Sequence, residues 1–181
     1  MKHILPIITL TTLAAAASAQ SAAPAGLSYN RVGVSREGQN NNLSVSQLLG
    51  SSNVLVSLST RSLAVDGSQT DTSNYTFLSV GYVLKNVAAG IDATLSVGAG
   101  DSSNNSALGI NLRRSLSEIY AGLEAAVGYE NRKGANGGAN ESAWTYELAY
   151  NINKQYSIAY GITDEKGAAR NRNTVSVRYN F

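Results

Sequence analysis

The sequence contains no cysteine and a single histidine, His3. The first absence removes disulfide frameworks, a lipid-anchoring cysteine and thiol nucleophiles. The second leaves almost nothing for imidazole acid–base chemistry near neutral pH or for Cys/His metal sites. Neither sign of charge dominates: 14 Lys and Arg stand against 12 Asp and Glu, a balance that gives no support to nucleic-acid binding. After residue 19 no apolar run is long enough for a membrane helix, which needs about 20 residues, and no long amphipathic helical pattern occurs.

What is present begins with an export pattern. Met1-Lys2-His3 supplies a short basic start, Ile4 to Leu13 is mostly apolar, and Ala17-Ser18-Ala19 is the small-x-small sequence that a signal peptidase requires. An uncleaved anchor helix is the other reading, but the apolar stretch is short for a bilayer. Residues 1–19 are therefore expected to be a cleaved Sec signal peptide, and residues 20–181 one barrel-forming domain. Removal of Lys2 leaves 13 cations against 12 anions, a net charge of +1.

Beyond the leader, period-two alternation recurs over short segments separated by Gly, Asn, Ser and Asp clusters. Val175, Val177, Tyr179 and Phe181 alternate with Thr174, Ser176, Arg178 and Asn180. Leu108, Ile110 and Leu112 alternate with Gly109, Asn111 and Arg113. The pattern predicts strands over roughly 27–36, 40–48, 53–63, 73–84, 89–99, 105–114, 118–131, 141–152, 155–164 and 171–181. Connections near Gly50-Ser51, Asn86, Ser115-Leu116 and Asn153-Lys154 read as tight. Those around Gln39, 66–73, 101–105, 131–140 and 164–172 read as longer and more polar. Short turns at one end and longer loops at the other, with an even strand count, describe a single closed antiparallel up-and-down transmembrane β-barrel of ten strands, with eight as the alternative. Alternation is blurred in the first three strands, which keeps the lower count open.

The polar face is rich in small residues such as Gly98, Gly109, Gly122, Gly128 and Gly161, with few of the Lys and Glu that a solvated sandwich face would carry. Aromatic residues gather near strand ends. Tyr82, Tyr150, Tyr156, Tyr179 and Phe181 fall toward one rim, and Tyr75, Tyr129, Trp144 and Tyr146 toward the other, as two girdles at headgroup level. Projected inward, Arg31, Arg61, Arg113 and Arg178 meet Asp92, Glu124 and Glu147. Opposite charges in a narrow lumen should pair and brace the barrel; the alternative is a constriction whose charges set ion selectivity. Arg132, Lys133, Lys166, Arg170 and Arg172 stand where they could meet lipopolysaccharide phosphates.

The ending Thr174-Val175-Ser176-Val177-Arg178-Tyr179-Asn180-Phe181 resembles the C-terminal β-signal of bacterial outer-membrane proteins. Leu112 to Tyr129 and Tyr150 to Ile162 resemble turn-flanking segments of the small outer-membrane barrel superfamily, the OmpA/OmpX-like and opacity-type porin-family proteins. The resemblance implies residence in the outer membrane among lipid and lipopolysaccharide. It also implies periplasmic chaperones and the barrel assembly machinery as biogenesis partners, with Tyr179 and Phe181 as the assembly signal. A monomer without cofactor is expected. Unlike full-length OmpA-type proteins, no peptidoglycan-binding domain follows the last strand, so cell-wall tethering is not implied. Outer-membrane enzymes of similar size, such as omptin proteases, lipid A deacylases and palmitoyltransferases, and the phospholipase, generally rely on a histidine, which is missing after residue 19. Glu124 and Glu147 remain as carboxylates that could approach one another. The sequence thus favours a structural or surface-interaction barrel with short exposed loops, then a narrow low-conductance pore, then an enzyme.

Overall fold

The computed structural model describes residues 27–37, 40–64, 72–100, 106–133, 141–166 and 171–181, and for 61–64 and 72–75 the backbone alone. Ten strands close on themselves: β1 (Arg31–Glu37), β2 (Asn40–Leu48), β3 (Val54–Ala64), β4 (Thr72–Ala88), β5 (Ile91–Gly100), β6 (Ser106–Ser115), β7 (Leu123–Arg132), β8 (Glu141–Asn151), β9 (Tyr156–Glu165) and β10 (Arg172–Asn180). Each strand pairs antiparallel with its sequence neighbours, and β1 pairs β10 from Arg31↔Asn180 to Glu37↔Thr174, so no edge is left open. No helix occurs among the described residues. Residues 1–26, which include the expected leader, lie outside them.

The packing is inside out relative to a soluble sandwich. Among the described residues the buried apolar set is Tyr29, Val45, Val83 and five alanines, and Val83 alone is fully buried at 0%. Large residues face outward instead: Leu108 is 64% exposed, and Val97, Leu95, Tyr160 and Val177 stand out with it. A sandwich would bury these side chains between its sheets. A wall that shows them outward and keeps Gly, Ser, Thr and charge within is built to meet lipid.

Several boundaries differ from the sequence expectation, each for a local reason. The first strand begins at Arg31, because 27–30 leave the wall and cross the barrel mouth. The seventh begins at Leu123, because 116–122 form a compact turn. There Ile119 and Tyr120 donate to the Leu116 carbonyl at 2.9 and 3.0 Å, Arg114 pairs with Glu118, and Gly122 holds φ +82. The turn expected at Asn86 lies at Ala89-Gly90, both with positive φ. Asn86 forms a bulge, and its side-chain oxygen accepts from Gly90 N–H at 3.0 Å. The connection at Gln39 spans only 38–39, since Glu37 and Asn40 are register partners.

Candidate functional site: the charged lumen

Small inward residues let long ones reach across the barrel. On β9 the inward positions are Ser157, Ala159 and Gly161, while Tyr156, Ile158 and Tyr160 point out. Across that low wall Arg178 of β10 grips Glu147 of β8 with two guanidinium nitrogens, one donating to Oε1 at 2.8 Å and the other to Oε2. Such a two-pronged pair fixes both orientation and charge. Arg113 of β6 donates to Glu124 Oε2 of β7 at 2.8 Å, and Asn151 donates to Glu124 Oε1 at 2.7 Å. The two carboxylates thus belong to separate ion pairs and do not form a dyad.

Tyr29 completes the end of the lumen that carries the short turns. The 27–30 segment folds inward, with Arg113 donating to the Ser28 carbonyl at 2.9 Å and Ser46 Oγ to the Tyr29 carbonyl at 2.8 Å. The Arg113 guanidinium lies 4.9 Å from the Tyr29 ring centroid, a cation–π contact. Tyr29 Oη donates to Asp92 Oδ2 at 2.7 Å, and Asn86 N–H donates to Asp92 Oδ1 at 2.8 Å. Asp92 is therefore tied to a tyrosine and a turn amide, contrary to its expected pairing with an arginine. Burial, and after it the Asp92 hydrogen bond, push the Tyr29 phenol up, so it remains a donor. Tyr29 falls in the expected first strand, 27–36, on the parity of Arg31, but β1 starts at Arg31, and the strand pattern held no signal for the reach of 27–30 across the mouth.

A second ring of charge lines the opposite mouth. Arg172 bridges Glu37 of β1, at 3.0 Å, and Glu165 of β9. Arg132 pairs with Glu130 and lies 3.8 Å from Glu165. Arg132 and Arg172 were expected among the loop cations facing lipopolysaccharide. They turn instead into the mouth, because 132 and 172 share inward parity with Glu124 and Arg178. Lys133 and Lys166 remain exposed, and Arg170 lies outside the described residues. So do the side chains of Arg61 and Tyr75, which are register partners on β3 and β4.

Between the rings the lumen holds two cavities. One, of about 220 Å³, touches Tyr29, Arg31, Arg113 and Glu147, with Ser57, Ser79, Ser96 and Asn111 along its wall. The other, of about 200 Å³, touches Gly33, Ser44, Glu147, Thr174, Ser176 and Arg178. Glu147 borders both, so the Glu147–Arg178 pair stands as the partition. Each cavity has room for several waters, at about 30 Å³ of liquid per molecule. Among the described residues no cluster of metal-ligating side chains occurs.

Outside, the aromatics form two groups. Tyr129 and Trp144 are register partners with ring centroids 4.9 Å apart toward the end of the barrel opposite the short turns, and Tyr146 follows on the same face. At the end with the short turns, Tyr120 meets Tyr150 at 5.8 Å and Tyr156 meets Tyr179 at 5.4 Å; Tyr179 stacks on Phe181, and Tyr82 stands opposite Val54. Phe181 N–H donates to the Asn30 carbonyl at 3.1 Å, which ties the last residue to the segment ahead of β1.

No family model and no curated relative matches this sequence. Among solved structures, the chain superposes on a KdgM porin with TM-score 0.52 at 19% identity, covering 86% of this chain and 99% of that one. It superposes on the NanC porin with TM-score 0.54 at 13% identity, covering 83% and 98%. These likenesses do not single out the OmpA/OmpX-like group. They agree with the geometry on one point: this chain has the porin fold, a closed antiparallel membrane-spanning β-barrel.

Proposed function

We propose that this protein is an integral outer-membrane barrel that serves as a narrow pore for ions and small polar solutes. The observation that carries the reading is the pair of cavities, each with room for several waters, that lie along a lumen of Ser, Thr, Asn and Gly and meet at the Glu147–Arg178 pair. The porin fold of the two structural neighbours supports the same reading. Export by a cleaved leader, chaperone escort and insertion through the assembly machinery go with it, supported by the ending Tyr179-Asn180-Phe181 and by the OmpA/OmpX-like resemblance of the hairpins. A monomer fits a barrel whose strands are all paired within one chain. Catalysis is not part of the proposal, because Glu124 and Glu147 are each engaged by an arginine.

A second reading, a closed structural barrel that presents its outer loops, is favoured by the Tyr29 segment lying across one mouth. Exposed Lys133 and Lys166 suit lipopolysaccharide phosphates in either case. Conductance of the refolded chain in a planar bilayer separates the two.

A further inference from the structure

Three guanidiniums meet at the larger cavity or its border, and two are fully engaged. Arg113 has Glu124, the Ser28 carbonyl and the Tyr29 ring. Arg178 has both oxygens of Glu147. Asp92, the remaining carboxylate at this level, is taken by Tyr29 and the Asn86 amide. Arg31 differs. It opens β1, its register partners Ser46 and Asn180 are uncharged, and it lines the 220 Å³ cavity. Among the described residues no carboxylate lies within ion-pair distance of it and none accepts a hydrogen bond from it. Arg31, Arg113 and Arg178 are matched in number by Glu124, Glu147 and Asp92, but Arg113 and Arg178 hold their carboxylates directly and Arg31 holds none.

A guanidinium carries five donors in a planar fork suited to oxyanions, and shielded donors without a contacting acceptor are costly. The same chamber presents the hydroxyls of Ser57, Ser79 and Ser96 and the amide of Asn111. We infer that the larger chamber is a binding site for one small inorganic oxyanion of phosphate size, held by the Arg31 fork and by wall hydroxyls. The inference rests on the lumen being open to solutes, as proposed above, but not on current passing through it.

The test is calorimetric titration of sodium phosphate into the refolded barrel at low ionic strength, with folding verified by heat-modifiable gel mobility. Wild type should show saturable binding at one site. Arg31→Gln should weaken it at least tenfold. Arg31→Lys, which keeps the charge and loses the fork, should weaken it severalfold. Arg114→Gln, on the outward face of β6 and paired with Glu118, should leave it unchanged. Absence of saturable heat in folded wild type would overturn the inference, as would equal binding by both Arg31 variants. Phosphate binding without current would keep this site and remove the pore reading, whereas current without phosphate binding would do the reverse.

Discussion

Arg178 and Glu147, 31 residues apart on strands that are not neighbours, clasp each other across the inward face of β9. The pair braces the lumen and forms the partition between its two chambers. It is possible because Ser157, Ala159 and Gly161 leave the space above β9 empty.

Removing one partner should be worse than removing both. Glu147→Ala would leave Arg178 beside Arg31 without a counter-charge, a loss of about 3–5 kcal/mol. The double change Glu147→Leu with Arg178→Met should recover most of it. Urea unfolding of the refolded barrel, followed by tryptophan fluorescence of Trp144, measures the difference; additive losses would show that the pair carries no coupling.

The glycines of the inward face are not equivalent. A Cβ on Gly98 would drive into the Phe77 ring and lie 2.9 Å from the Leu78 carbonyl, whereas one on Gly161 would meet nothing nearer than 3.5 Å. Gly98→Ala should therefore cost about 1–3 kcal/mol, and Gly161→Ala should be close to neutral, in the same unfolding measurement.

Tyr29 sets an alkaline limit. Its folded-state value is raised above the ordinary 10.0, so its contribution is complete below pH 10 and is lost as the pH rises through the higher folded value. Tyr29→Phe should lower the unfolding midpoint at pH 8. The gap between variant and wild type should narrow once the wild-type phenol ionises. A gap independent of pH would show that the phenol is not the group responsible.

Much of the architecture is written in the sequence. Alternation such as Leu108, Ile110, Leu112 against Gly109, Asn111, Arg113 has a period of two and fixes which face is which wherever a strand exists. That parity also places Arg113, Glu124, Glu147 and Arg178 in one lumen. It does not say which carboxylate each arginine takes, because diagonal and cross-strand reach depends on register and on the small residues between. Of the outer ring, Glu130 and Arg172 lie inside the expected strands and Glu37, Arg132 and Glu165 one residue beyond them, so the same parity reached all five. Tyr29 was legible only in parity, which it shares with Arg31 in the expected strand 27–36; its reach across the mouth to Asp92 was not, because 27–30 is no strand.

Deleting Phe181 should remove both its stacking on Tyr179 and its bond to the Asn30 carbonyl. Folded, heat-modifiable barrel recovered from outer membranes should fall severalfold, with Phe181→Tyr near wild type. Unchanged recovery would remove the last residue from the assembly signal.

The central claim is that the paired charges divide an otherwise passable lumen. It is tested most directly by single-channel recording of wild type and the Glu147→Ser, Arg178→Ser double variant, which clears the partition without leaving a lone charge. The account predicts small, steady openings in wild type and a severalfold larger conductance in the variant. A silent bilayer for both proteins, each shown to be folded, would contradict it and leave a closed barrel whose work lies in its loops.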